Sequence, residues 1–260
     1  MLTDDQFQQY QRKGYVVVEG LLSAAEVGRV TTRLREYVTG QREEQGFERM
    51  LEPALTDGGA LEEFGGEGEP VRKFEGLEMV REDEVFRELA FHEGIVGTIE
   101  QLQGPHLKLL RSAAMLKPPR VGSEKEFHQD AAYYPIQPMD HVTVWIALNE
   151  ATQANGCMRV VPGAHLDGLL GHEALEYETD ITIRERDYGI KDTVALPMEP
   201  GDALFQHCLL PHFTEENTTD DWRRAFILGY MRSRSRFTDD EPPAWVDVEH
   251  IAGEGLPGCV

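Results

Sequence analysis

The chain has 260 residues, 40% apolar and 28% charged, the balance of a folded globular protein rather than a disordered or membrane-embedded one. Its 47 acidic side chains against 25 basic ones give a formal charge of -22, a field that repels nucleic acid and anionic membrane. No apolar run approaches the roughly 18 residues a membrane span needs, and Asp4, Asp5, Gln8 and Gln9 lack a signal peptide's layout. The expectation is a cytoplasmic protein, monomer or dimer.

The length fits one domain over 1-260, with a helical part to about 104, a strand-rich core over about 105-232 and a tail over 233-260. Thr3 with Gln6 and Ser23 with Glu26 have capping-box spacing, and each precedes apolar residues at helical intervals (Phe7, Tyr10; then Val27, Val30, Leu34). Between them Tyr15 to Val18 reads as a buried strand. Residues 40-70, rich in Glu and Gly, read as a surface loop and a candidate lid. Helical periodicity returns over 82-103 and stops at Gly104-Pro105.

Strand-like runs follow at 106-117, 141-149, 157-161, 193-198, 202-208 and 224-231, separated by Pro118-Pro119, Asn155-Gly156, Pro162-Gly163 and Pro200-Gly201. Helices first and strands afterwards predict a strand sandwich or barrel backed by helices. Arg232, Arg234 and Arg236 alternate with serine and read as a solvated strand face. Cys157, Cys208 and Cys259 have neither disulfide nor zinc spacing.

His128-Gln129-Asp130 follows the 118-125 loop and is expected to begin a strand, where positions i and i+2 share a face, so imidazole and carboxylate converge. A second imidazole would complete the two-histidine, one-carboxylate set that leaves an iron(II) ion open positions for a 2-oxoacid and dioxygen. His207 and His212 both follow Pro200-Gly201-Asp202, and the residues alone leave the choice between them open. Arg223 begins a later apolar run, and its planar fork suits the far carboxylate of a 2-oxoacid. The plainer reading of Arg223 and Arg224 is a charged strand start.

The runs Phe127 to Tyr134, Val142 to Leu148 and Asn155 to His165, with Pro200 to His212, Arg223 to Ala225 and Gly14 to Val18, resemble the phytanoyl-CoA dioxygenase family over about residues 3-232. The resemblance implies a mostly β fold with flanking helices, a double-stranded β-helix (jelly-roll) core that uses Fe(II), 2-oxoglutarate and dioxygen. It matches His128, Asp130 and His212 to the metal ligands, choosing His212 because the family's ligand lies eleven residues before the co-substrate arginine, here Arg223. Thr214 matches a hydroxyl position near the same carboxylate, Trp145 an aromatic lining that pocket, and Lys73 and Lys117 basic positions that flank it. Phe127 stands where the family often has Trp, and Ala164 where it often has Ser.

With these ligands assigned, His165 and His207 read as structural. Phe127, Tyr133 and Tyr134 are candidates to meet substrate, a small metabolite rather than a CoA thioester given the acidity of the chain. Asp130 argues against halogenation, in which relatives replace the carboxylate ligand with a small residue. A metal holder without redox chemistry is the reading from another class, and it has no need of Arg223. Iron titration of two variants separates the histidines: His212→Ala is expected to lose the metal and His207→Ala to keep it.

Overall fold

The computed structural model describes residues 1-53, 66-175, 181-184, 188-238 and 247-256. Both predicted capping boxes form: Thr3 opens α1 (Asp4–Lys13) and Ser23 opens α2 (Ala24–Val38). Between them β1 (Tyr15–Val18) is half-buried to buried. The strands β2 (Glu48–Leu51) and β3 (Val71–Glu75) come next. Part of the expected 40-70 loop is thus a strand, and residues 54-65 of it lie outside the described residues. A short helix, α3 (Glu78–Glu82), precedes the helical stretch predicted over 82-103, which is two pieces, α4 (Glu84–Ala90) and α5 (Glu93–Gln103), because Asp83 caps α4 and His92 is extended before α5.

The remaining strands are β4 (Leu107–Lys117), β5 (Lys125–His128), β6 (Ile136–Gln137), β7 (Val142–Ala147), β8 (Met158–Val160), β9 (His172–Ala174) and β10 (Ile181–Ile183). After them come β11 (Val194–Leu196), β12 (Ala203–His207), β13 (His212–Thr214), β14 (Arg223–Arg232), β15 (Arg236–Phe237) and β16 (Glu249–Ala252). One antiparallel sheet runs β1-β12-β7-β14-β4-β3-β2, with β16 also on β4; a smaller sheet runs β11-β8-β13-β5. The first third is therefore not simply helical, since it supplies β1, β2 and β3 to the large sheet. Arg232 ends β14 and Ser233 and Arg234 form a turn, so the expected Arg-Ser strand face does not exist; Arg232 instead pairs with Asp140 at 2.7 Å.

Residue alternation explains the layers. In β7, Val142, Val144 and Ile146 face the helices, while Trp145 and Ala147 face the second sheet. In β14, Phe226, Leu228 and Tyr230 join the helix-side cluster, and Ala225 and Ile227 the inter-sheet one. Strands buried on both faces read as continuous apolar runs, which is what made them legible. The two facing sheets form a jelly roll, with α2, α4 and α5 covering the outside of the large one.

One buried carboxylate ties the helices together. Asp83, 2% exposed, accepts from Arg33, from the Tyr37 hydroxyl at 2.8 Å and from the Val85 amide at 3.0 Å. Asp83→Ala strands the Tyr37 hydroxyl and leaves Arg33 with Glu36 alone among the described residues, and is expected to lower unfolding stability by about 2 kcal/mol. Urea titration checks this through a lower midpoint at unchanged slope.

Candidate metal centre

Strand pairing brings the predicted ligands together. His212 of β13 lies directly across from His128 of β5, with ring centroids 4.2 Å apart. His128 ends its strand instead of beginning one, and Asp130 opens the short 3-10 turn Asp130–Ala132. The convergence expected from i, i+2 alternation thus comes from a strand end and a turn. One ligand atom from each of His128, Asp130 and His212 lies within 4.8 Å of the others, and all three residues are buried.

Hydrogen bonds fix which atoms point inward. His128 Nδ1 donates to the Glu126 carbonyl at 2.7 Å, and His212 Nδ1 to the Leu210 carbonyl at 2.8 Å. Each bond places the proton on Nδ1 and leaves Nε2 with a lone pair that a metal could take; that of His212 here accepts from Gln206 Nε2 at 3.2 Å. Asp130 Oδ2 accepts from Thr143 Oγ1 at 2.7 Å and Gln206 Nε2 at 3.1 Å. That leaves Oδ1, which lies 3.8 Å from His128 Nε2 and 3.9 Å from His212 Nε2. A six-coordinate ion with ligands at about 2.1 Å sets neighbouring donors about 3 Å apart, so a small contraction seats it. The donor set is the two-imidazole, one-carboxylate face that suits iron(II).

Electrostatics hold the site ready. Burial alone would raise the Asp130 carboxyl, yet His212, His128, Arg111 and the Thr143 hydroxyl keep it below the usual carboxylate range. Burial, then His212 and Lys125, push the His128 imidazole well down, toward the neutral form a metal needs.

The three residues line a cavity of about 1200 Å³. Arg223, Thr214, Trp145, Lys73, Tyr133 and Tyr134 line it too. Arg223 is 3% exposed; one guanidinium nitrogen donates to the Met115 carbonyl at 3.1 Å, Nε has no partner among the described residues, and the group sits 5.5 Å from the Trp145 ring. Burial pushes its pKa down to about 10. Thr214 Oγ1 is likewise buried without a partner among the described residues. A buried cation and a buried hydroxyl, both short of partners in one cavity, are what a carboxylate would satisfy. Arg224, on the other face of β14, stacks over Trp222 at 4.9 Å.

Other expected residues fall elsewhere. Lys117 lies behind the cavity wall, donating to the Ser123 carbonyl; burial and then Arg223 push its amine well below the usual lysine range. A Cβ at Gly156 (φ 81°) would meet the Glu215 carbonyl oxygen at 2.3 Å and the Lys117 chain at 2.9 Å, so the Asn155-Gly156 turn must carry glycine. Phe127 stacks on Phe213 at 4.1 Å in a small separate core. His207 lies with Tyr10 and His165 beside another cavity, and burial pushes it down to about 4. Cys157 and Cys208 are buried free thiols.

Thr143, Gln206 and Arg111 were missed in the sequence. Thr143 and Gln206 are cross-strand partners of β7 and β12, and both reach Asp130. Arg111 Nη1 stands 3.9 Å from Asp130 Oδ1. Gln206 and Arg111 each interrupt an apolar strand run, a signal the sequence did carry.

The phytanoyl-CoA dioxygenase family model matches residues 10–225. The chain belongs to this family. A probable phytanoyl-CoA dioxygenase of Caenorhabditis elegans is 28% identical, the match covering 98% of this chain and 81% of that protein. A phytanoyl-CoA dioxygenase domain-containing protein of Danio rerio is 27% identical over 99% of this chain and 97% of its own length. Among solved structures, the epimerase SnoN in complex with Fe3+, alpha ketoglutarate and nogalamycin RO is 26% identical, with a TM-score of 0.70 over 97% of this chain and 95% of that one. No helix among the described residues is long and apolar enough to cross a membrane.

Because Thr143 and Gln206 hold the carboxylate that a metal would share, Thr143→Val and Gln206→Ala are each expected to weaken iron(II) binding about tenfold to a hundredfold. Anaerobic titration measures this, with unchanged circular dichroism to show an intact fold.

Proposed function

We propose that this protein is an iron(II)- and 2-oxoglutarate-dependent dioxygenase that hydroxylates an unactivated C-H bond of a small metabolite. The observation that carries the reading is one cavity holding both a His128, Asp130, His212 donor set and an uncompensated buried guanidinium, Arg223. In this reading His128 Nε2, Asp130 Oδ1 and His212 Nε2 hold the iron. Arg223 and Thr214 take the far carboxylate of 2-oxoglutarate, Trp145 flanks it, Lys117 backs Arg223, and Lys73 lines the same cavity from β3, held by Glu75. When bound, iron(II) with 2-oxoglutarate and dioxygen supplies C-H oxidation, with release of succinate and CO2.

The chain's own residues orient and exclude. The backbone carbonyls of Glu126 and Leu210 fix both imidazole tautomers, and Thr143 and Gln206 hold Asp130 so that one oxygen faces the metal. The apolar packing of Trp145, Met158 and Ile227 lowers the local dielectric and strengthens the hold of Arg223 on an anion. Residues 1-260 act as one oxygenase domain in the cytoplasm. Epimerisation is the second reading of the outcome, favoured by the similarity to SnoN, since both reactions start at a C-H bond. A metal holder without turnover remains disfavoured by Arg223.

Arg223→Ala removes the partner of a buried carboxylate, which costs about 2 to 5 kcal/mol, or roughly 30-fold to several thousand-fold in affinity. The 2-oxoglutarate concentration dependence of succinate formation is expected to shift by at least the lower factor, with iron affinity near normal. Arg223→Lys recovers part of it, because an ammonium cannot reproduce the fork. Arg224→Ala, on the other face, changes little; equal effects at the two arginines would refute the pocket.

A further inference from the structure

The cavity is larger than a metal and a five-carbon co-substrate require, and its other end is charged in a way they do not use. Along β4, Arg111, Met115 and Lys117 fall on the same face by alternation, with Ala113 packed in the inter-sheet core between them. Lys117 pairs across with Arg223 at one end, and Arg111 with Gly229 at the other. Six residues of strand put these two backbone positions about 20 Å apart, so the far carboxylate on Arg223 and the Arg111 side chain, which turns toward Asp130, lie on different sides of the metal site. Gly229 is the accommodation for Arg111: a Cβ there would meet Arg111 Cβ at 3.1 Å. Glycine inside a strand weakens it, and here it admits a charged side chain between packed strands.

Arg111 is held in place. Its Nε donates to Glu75 Oε1 at 2.9 Å, and Lys73 donates to the other oxygen of the same carboxylate. Burial would raise the Glu75 carboxyl, but Arg111 and Lys73 hold it at about 2, so one carboxylate is shared by two cations. The Arg111 side chain lines the cavity and keeps 16% of its surface exposed. At the mouth, Glu78 and Asp247 are engaged by Arg81, and Lys125 donates to the Tyr133 hydroxyl at 2.9 Å.

The balance of charge then differs between the two ends. Iron(II) on Asp130, with the 2-oxoglutarate dianion against Arg223, is neutral as a set. With Asp130 already counted against the iron, Lys73 and Arg111 share the Glu75 carboxylate and carry one positive charge more than it among the described residues, and in a half-enclosed site an anion is the natural complement. We infer that the substrate carries a carboxylate that docks on Arg111, with its apolar part against Leu110 and Tyr134. Since Arg111 Nη1 is 3.9 Å from Asp130 Oδ1, the carbons nearest that carboxylate face the metal and one of them is the site of oxidation. This rests on the oxygenase reading above and names its substrate class.

The test uses the full chain loaded with redox-inert zinc(II) and saturating 2-oxoglutarate. Ligand-observed NMR titrates monocarboxylic acids of four to ten carbons, aliphatic and aryl, each against its own primary amide. The resonances of 2-oxoglutarate report whether it stays bound. The best acids are expected to bind at least about tenfold tighter than their amides without releasing 2-oxoglutarate. Arg111→Gln is expected to bring each pair within about twofold, and Arg111→Lys to keep part of the preference. The inference is overturned if no acid exceeds its amide, if acids bind only by displacing 2-oxoglutarate, or if the preference survives Arg111→Gln. The wild-type comparison decides without any variant should Arg111→Gln not fold. Failure of the oxygenase reading shows separately, as absence of 2-oxoglutarate binding to the metal-loaded protein at the outset.

Discussion

The pairing of β13 with β5, which sets His212 across from His128, is the constraint on which the site depends. Two imidazoles side by side in a buried position would ordinarily be an expense, because neither can be charged without repelling the other. Their Nδ1 protons, given to the carbonyls of Leu210 and Glu126, turn that expense into a preformed pair of lone pairs. Each histidine bonds the carbonyl two residues before it in the chain, so short segments set the tautomers and the sheet sets the distance between them. Asp130 then needs no regular strand, since the 3-10 turn at Asp130–Ala132 and the donors Thr143 and Gln206 fix its orientation from the facing sheet.

The large sheet supplies the rest by alternation. Residues facing the helices make an apolar layer, while inward positions of β4, β7, β12 and β14 carry Arg111, Thr143, Trp145, Gln206 and Arg223 between small or aliphatic neighbours. Charges tolerated there are held individually: Arg111 by Glu75, Arg223 by a backbone carbonyl and an aromatic face. An acidic protein thereby encloses a cavity whose inner walls carry several cations, an arrangement that net charge conceals. Overall charge governs encounter with large polyanions, whereas the local wall governs what a small anion meets once inside.

Reading the chain in order recovered much of this architecture. The capping boxes at Thr3 and Ser23, the strands on which Trp145 and Arg223 lie, and the Asn155-Gly156 turn all stand where their local chemistry puts them. Less legible were β2 and β3, whose Glu- and Gly-rich surroundings look like loop, and which are strands because β4 offers β3 an edge and β3 offers one to β2. The placement of Phe127 was also hidden: it precedes His128 in the chain, yet its ring turns to Phe213 and away from the cavity, as successive strand residues must.

What the sequence by itself determined is therefore the kind of fold and the kinds of group available: apolar runs of strand length, a His-x-Asp pair, and an arginine at the start of a later strand. These are local facts, set by periodicity, capping and turn chemistry within a few residues of chain. The residues taken alone left His207 and His212 open and the family resemblance pointed to His212; tertiary structure supplies the reason, because the two belong to strands of different sheets and only β13 pairs with the strand of His128. It also decided that Thr143, Gln206 and Arg111 surround Asp130, since those contacts cross between strands remote in sequence. Hydrogen-bond register across sheets and charge balance inside a closed cavity are properties of the assembled chain, and no segment holds them on its own.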